Sequence, residues 1–226
     1  MKKISIAIDG PAGAGKSTIA KIIAKKLNIE YIDTGAMYRA VTLKILRDNI
    51  DINDKEQLLN MLNNIEIKFV NNRIYLDGLD VSEEIRMPHV GKYVSQVAAI
   101  KEVREKLVLL QRNIAKNSSV IMDGRDIGTN VLKDADVKIF LIASVEERAK
   151  RRYKELKQKG IEVSYEDILR EIEKRDFIDS TREVNPLKKA EDAIIVDSSN
   201  KTIDEVVEEI LNIISFKIKG CEYGII

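Results

Sequence analysis

Gly10-Pro11-Ala12-Gly13-Ala14-Gly15-Lys16-Ser17 sets glycines, a lysine and a hydroxyl at the spacing G-x-x-x-x-G-K-[ST], with Thr18 following. Residues with little or no side chain let successive backbone N–H groups curl around a polyphosphate. Lys16 can then reach the terminal phosphates, and Ser17 Oγ can ligate Mg²⁺. The spacing predicts that this segment binds ATP or GTP. Three other stretches carry charge where chemistry could use it. "YIDTGAMYRAV" turns at Asp33, Thr34 and Gly35 into a segment bearing Arg39. "DGRDIGT" (123–129) sets Arg125 and Asp126 on a glycine-flanked turn. "KRDFIDSTR" spaces Arg175, Asp179 and Arg182 four and then three residues apart, which is one helical face. Taken alone, the first of these reads as a helix cap with a surface arginine. The last reads equally well as a solvated ladder of ion pairs.

These residues need elements to position them. Five apolar runs, "ISIAI" (4–8), "IEYI" (29–32), "SVIMD" (119–123), "VKIFLIA" (137–143) and "AIIVD" (193–197), alternate with helical patterns. Runs that are apolar on both faces suit parallel strands covered by helices, so the pattern predicts an α/β fold around a central parallel sheet. Ile19, Ile22, Ile23 and Leu27 fall on one face of a helix between the first two strands. The glycine-rich segment therefore joins a strand to a helix, and the helix aims its positive dipole end at a bound anion. Ser144 with Glu147, Ser164 with Asp167 and Thr202 with Glu205 mark three helix starts; Gly160 marks a stop, and the second helix runs towards Phe177. "IEIKFVNNRIYLDG" (65–78) alternates at period two around Asn71-Asn72, an antiparallel hairpin inserted in the α/β core. The expected organisation is one domain over 1–226, with its core at 1–59, 89–147 and 166–226, a β insertion at about 60–88 and a helical excursion at about 148–165.

Charge and composition narrow the function classes. With 38 Lys and Arg against 37 Asp and Glu, the chain has no general attraction for nucleic acid or membrane surfaces. The basic run at 148–159 is broken by Glu155 and has no aromatic platform for stacking bases. The single cysteine, Cys221, has no internal disulfide partner and fits a reducing compartment. No apolar run reaches membrane-spanning length, and the N-terminal one is too short for a signal peptide. A cytoplasmic protein, monomeric and with small-molecule partners, is expected. His89, the one histidine, lies beside Pro88 and reads as a surface or hinge residue. "NKTID" (200–204) is one residue too long for the guanine-reading N-K-x-D. A kinase acting on a small phosphate acceptor fits best; a small kinase with some other acceptor, such as shikimate, and a nucleotide-dependent switch remain the alternatives.

"GPAGAGKST", "DTGAMYR", "SQVAAIKEVRE", "MDGRDIGT", "VKIFLIAS" with "ERAKRR", and "KRDFIDSTR…NPL" occur in the order and at the spacing of the bacterial cytidylate kinase family, which the chain resembles from about residue 4 to 210. That resemblance implies a P-loop kinase fold with a five-stranded parallel sheet, a small antiparallel insertion in the monophosphate-binding region and a helical lid. It implies ATP as donor, Mg²⁺ as cofactor, and CMP and dCMP as acceptors. Gly10 through Thr18 would hold the ATP phosphates. Arg39 and Arg125 would grip the acceptor's phosphate, a task suited to the guanidinium fork. Thr34, Arg104, Asp126 and Arg182 would face cytosine, while Ser95, Arg175 and Asp179 would meet the sugar hydroxyls. Lys16, Arg125 and the lid arginines Arg148, Arg151 and Arg152 would act on the transferring group. Asp33 and Asp123 are either helpers of the magnesium water shell or structural caps.

Overall fold

The computed structural model describes residues 3–70, 73–158 and 160–219. Asn71, Asn72 and Cys221, singled out above, lie outside the described residues. In chain order the elements are β1 (Ser5–Asp9), α1 (Lys16–Leu27), β2 (Glu30–Asp33), α2 (Thr34–Arg47), α3 (Lys55–Asn64), β3 (Ile67–Val70), β4 (Arg73–Leu76), β5 (Leu79–Asp80), α4 (Pro88–Ala99), α5 (Lys101–Asn117), β6 (Val120–Gly124), β7 (Val137–Ile142), α6 (Val145–Gln158), α7 (Tyr165–Thr181), β8 (Ile194–Asp197) and α8 (Ile203–Lys219). They form two compact units, the first made of residues 1–31 and 118–226, the second of 32–117.

The first unit is built on a five-stranded sheet in the order β2-β6-β1-β7-β8. β1 is central and parallel to both neighbours, and its register sets Ile8 beside Asp123 and Asp9 beside Gly124. The ends of β1 and β6 are thus adjacent, so the glycine-rich segment and the "DGRDIGT" turn leave the sheet side by side. α1 presents Ile19 and Ile23, fully buried, to a core shared with Ile6, Ile8, Ile121 and Leu141; Ile22 and Leu27 pack at its margin. α8 closes the same core with Val206, Val207, Ile210 and Ile214. α6 and α7 pack on one another through a small cluster of Ala149, Leu156, Ile168 and Ile172.

The second unit has its own core, in which Met37, Val41, Leu58, Leu76, Ile85, Val94 and Leu107 are buried. The expected hairpin is present, with β3 and β4 antiparallel and Val70 opposite Arg73. A third short strand extends it. Asp77 and Gly78 both adopt positive φ, at 49° and 82°, the two-residue turn whose twist suits a hairpin, and β5 returns along β4.

The helix starts follow local chemistry. Ser164 Oγ accepts the Asp167 N–H at 3.0 Å. Gly160 at φ 71° follows α6, and the Ile161 N–H donates to Leu156 O at 3.0 Å. The Thr202 box forms in both directions, with the Thr202 N–H donating to Glu205 at 2.7 Å and the Glu205 N–H to Thr202 Oγ1 at 3.3 Å. The Ser144 box forms in only one: Ser144 Oγ accepts from the Glu147 N–H, while the Ser144 N–H donates to Ser199 Oγ at 3.0 Å. Thr202→Ala removes one partner of an exposed, reciprocal cap, so it is expected to lower unfolding free energy by about 1 kcal/mol. Urea denaturation measures this; an unchanged midpoint would mean that α8 is held by its apolar face alone.

Candidate active site

Gly10 opens the glycine-rich segment at φ 149°, and a Cβ there would lie 2.0 Å from the carbonyl oxygen of Leu141. Only glycine lets the segment leave β1 pressed against β7. Lys16 follows at the first position of α1 and is 5% exposed, its Nζ donating to Pro11 O at 2.7 Å. Burial, and then the positive field of Arg125, lower the Lys16 ammonium well below the usual lysine range, against the opposing pull of Asp123 and Asp9. A polyanion on this segment would offer Lys16 a stronger partner than the Pro11 carbonyl and favour its charged form. Ser17 Oγ donates to Asp123 Oδ2 at 2.8 Å, and the Tyr31 hydroxyl donates to Asp123 Oδ1, also at 2.8 Å. A hydroxyl beside a carboxylate is a hard-oxygen set, which suits Mg²⁺ held by one or two protein oxygens together with phosphate. Asp33, by contrast, caps α2 by accepting the Ala36 N–H at 2.9 Å and pairs with Arg86 at 3.2 Å.

The turn after β6 is fastened from below. Asp9, 4% exposed, accepts the Ile127 N–H at 2.8 Å and the Gly128 N–H at 2.7 Å, one on each oxygen. Both N–H groups open a single π-turn, Ile127–Val131, a rare geometry that concentrates at functional sites. Burial raises the Asp9 carboxyl to about 6 even though the two N–H groups favour its charge, and Asp126 adds to the rise. One residue thus ties the start of the phosphate segment to the turn that carries Arg125 and Asp126.

Above that turn, guanidinium and carboxylate groups interlock. Arg125 Nε donates to Asp179 Oδ2 at 2.8 Å. Burial opposes the charge on each, but Asp179 holds Arg125 protonated, and Arg125, Arg175 and Arg182 hold the Asp179 carboxyl below the usual range. Arg182 Nη2 reaches Asp126 Oδ1 at 3.3 Å, and Asn185 O accepts from both Nε and Nη2 of the same guanidinium, at 2.8 and 2.6 Å. α7 runs past Phe177 to Thr181, so Arg175 and Asp179 lie within the helix and Arg182 caps its end. Arg148 is 3% exposed; its guanidinium donates to Ala12 O at 2.9 Å, Ala143 O at 3.1 Å and Asp176 at 2.6 Å. Arg151 donates to Ser198 O at 2.6 Å, and Ser198 Oγ to Ala14 O at 3.2 Å. Arg152 is exposed and pairs with Glu155 at 2.9 Å.

Within the first unit, then, the structure gathers Gly10–Ser17, Arg125, Asp126, Arg148, Arg175, Asp179 and Arg182 into one charged cluster. The second unit carries the other expected residues. Thr34 is buried at the start of α2, Ser95 is half-buried on α4, and Arg39 donates to Ile85 O at 3.1 Å. Arg104, 1% exposed, lies 5.4 Å over the Tyr38 ring and donates to Ala98 O at 3.0 Å. His89 is exposed in the first turn of α4. Asp9, Tyr31, Asp176, Ser198 and Asn130 escaped the sequence reading, although "AID" directly before the glycine-rich segment put one carboxylate in plain view.

A parallel sheet ordered in this way, with a phosphate segment at the end of its central strand, is a P-loop kinase fold. Among solved structures, a protein from Eubacterium ventriosum superposes with a TM-score of 0.53 at 18% identity, over 95% of this chain and 99% of its own. Shikimate kinase from Bacteroides thetaiotaomicron does so with a TM-score of 0.50 at 13% identity, over 94% and 98%. These two likenesses speak to the fold alone. Residues 6–216 match the family described as cytidylate kinase. A curated cytidylate kinase from Clostridium botulinum (strain Langeland) is 60% identical over 95% of this chain and 99% of its own. Another, from Caldicellulosiruptor saccharolyticus, is 58% identical over 98% and 100%. The chain belongs to the cytidylate kinase family.

Asp9 yields a test that needs no substrate. Its folded value of about 6 lies above the ordinary 3.8, so between these values the folded state holds a proton that the unfolded chain lacks. This group's contribution to stability must therefore rise as pH falls through 6, the reverse of a salt-bridged carboxylate. From pH 7.5 to 4.5 the stability of the natural protein relative to Asp9→Asn is expected to increase by about 2 kcal/mol. Urea unfolding at the two pH values measures the difference. A constant gap would show that Asp9 is not a strained, buried carboxylate.

Proposed function

We propose that this protein transfers the γ-phosphoryl group of ATP to the 5′-phosphate of CMP and dCMP, releasing ADP and the nucleoside diphosphate. The observation that carries the reading is the single cluster in which Lys16, Ser17 and Asp123 adjoin Arg125 and Asp126, on a chain of the cytidylate kinase family. An oxygen of the acceptor phosphate attacks the γ-phosphorus in line, and the bond to the β–γ bridging oxygen breaks. The acceptor is already anionic, so no general base and no covalent intermediate are needed; positioning and charge neutralisation do the work.

Gly10 through Thr18 bind the donor phosphates with the backbone N–H groups that every residue but Pro11 supplies, and Lys16 neutralises the charge that moves toward the leaving ADP. Ser17 Oγ, with Asp123 behind it, would hold Mg²⁺, which would supply charge neutralisation for the donor phosphates. Arg125 trades part of its contact with Asp179 for the acceptor phosphate, and Arg175 and Asp179 meet the sugar. Asp126, an acceptor-only carboxylate, takes the exocyclic amine of cytosine and refuses the O4 of uracil. Thr34, Arg39, Ser95 and Arg104 are assigned to the acceptor on family membership and sequence motifs alone. Arg152, exposed on the proposed lid at about 148–165, covers the transferring group. Arg148 holds the phosphate segment through Ala12 O and acts with Arg152. The same reading assigns the activity to a cytoplasmic monomer that acts on small-molecule nucleotides.

Release of ADP, followed in parallel with CMP, dCMP, UMP, AMP and no acceptor, tests the reading directly. CMP-dependent release is expected; release with another acceptor, or with none, would overturn it. Lys16→Ala is expected to lower kcat by about 100-fold or more. Asp126→Ala should lower kcat/KM for CMP by about 100-fold while barely changing ATP affinity. Equal losses for both nucleotides would remove Asp126 from the base site.

A further inference from the structure

Asp126 is held from both sides, and one of its partners has no part in the function described so far. Arg182 reaches Oδ1 at 3.3 Å, while the side-chain amide of Asn130 donates to Oδ2 at 3.1 Å. Asn130 stands on the π-turn, where its own N–H donates to Asp126 O at 2.9 Å and the next, that of Val131, donates to the same oxygen at 3.2 Å. The backbone therefore fixes where the amide starts, and the amide fixes where the carboxylate points. Asp126 is 4% exposed, so water cannot readily substitute for either donor.

We propose that Asn130 is a positioning residue that sets the base selectivity of this enzyme, by presenting Asp126 to the acceptor as an oriented, purely accepting carboxylate. The inference rests on the reading of Asp126 as the cytosine contact. An amide NH₂ can only donate to the carboxylate. It restrains rotation about the Cβ–Cγ bond. The charged groups around Asp126 are Arg182 from the end of α7, which also reaches Asp179, and Asp9 at the end of β1. Asn130 adds a donor to that set without adding a charge.

Replacing the amide in two ways separates orientation from charge. Asn130→Leu keeps the bulk and deletes the donor. The ratio of kcat/KM for CMP to that for UMP is expected to fall about tenfold, the loss falling mainly on KM for CMP and leaving KM for ATP unchanged. Asn130→Asp sets a second carboxylate against Asp126, and two carboxylates at hydrogen-bond distance share a proton. The shared proton turns the pair into a donor that uracil O4 can accept, so UMP use rises in absolute terms near pH 6 and declines again toward pH 8.5. The CMP-to-UMP ratio is the quantity to follow with pH, because the 5′-phosphates of the two acceptors titrate alike and cancel. A purely structural role would lower both acceptors together and give no gain with UMP.

Asp126→Ala is the control. If it lowers the ratio and both Asn130 variants leave it unchanged, the role of Asn130 is wrong and the cytosine contact stands. If Asp126→Ala itself leaves the ratio unchanged, the cytosine contact is wrong and the proposal falls with it. Equal losses for CMP, UMP and ATP in Asn130→Leu also overturn the proposal. Should that variant fail to fold, Asn130→Asp decides alone, since a gain of UMP use cannot come from unfolding.

Discussion

Charge that must wait without water is the constraint around which the first unit is organised. A site for two polyanionic nucleotides needs cations in a poorly hydrated place, and a buried cation without a counter-charge is costly. Here each cation rests against an oxygen, and on the proposed assignment a substrate would replace it: Lys16 on the Pro11 carbonyl, Arg125 on Asp179, Arg182 on Asp126 and Asn185, and Arg148 on Asp176 and Ala12. The chain as a whole is close to neutral, with 38 basic and 37 acidic side chains, so the attraction for nucleotides is local rather than global. The direction of the pKa displacements agrees. Lys16, whose waiting partner is a neutral carbonyl, is pushed toward losing its proton, whereas Arg125, whose partner is a carboxylate, is held charged.

The sheet serves this arrangement through register. Asp9 beside Gly124 brings the exits of β1 and β6 together, and the close approach of Gly10 to Leu141 O draws β7 to the same edge. Asp9 then joins the two exits, close in space but remote in sequence, through two hydrogen bonds. Its carboxylate costs stability by being buried, yet it satisfies two N–H groups that the π-turn would otherwise leave without partners. Neither a hydrophobic residue nor an amide at this position satisfies both, because the amide's NH₂ would face another donor.

The parts legible in the sequence are those set by neighbours a few residues away. Five strands, the phosphate segment, the Ser164 and Thr202 caps and the Gly160 stop all rest on short spacing, and each is where its spacing put it. Elements governed by distant partners were not legible. The Ser144 box is half-formed because the hydroxyl of Ser199, 55 residues on, takes the N–H that Glu147 would have served. Asp9 reads as the last residue of a strand until Ile127, 118 positions away, is found above it. Asn130 sits in no motif at all, since its meaning lies in a π-turn that no local pattern announces. Asp33 and Asp123 look alike in sequence, each ending a strand; Ser17 and Tyr31 on one and Ala36 on the other separate their roles.

Adjacency of Arg125 and Asp126 carries a further consequence for how base recognition is spent. On the proposed assignment the phosphate grip and the base contact belong to consecutive residues on one turn, which is fastened below by Asp9 and across by Arg182 and Asn130. A base that cannot satisfy Asp126 therefore cannot be rejected by a movement confined to the base. Shifting the carboxylate shifts the guanidinium beside it, and with it the oxygen that must approach the γ-phosphorus in line. Small displacements at that distance cost rate as well as affinity. Discrimination built this way is expressed in the transition state, where binding differences alter turnover, and not merely in how tightly the wrong acceptor is held. The rigid fastening of the turn is then part of the selectivity itself: a looser turn would let base and phosphate adjust independently, and a mismatched acceptor would bind poorly yet react well once bound.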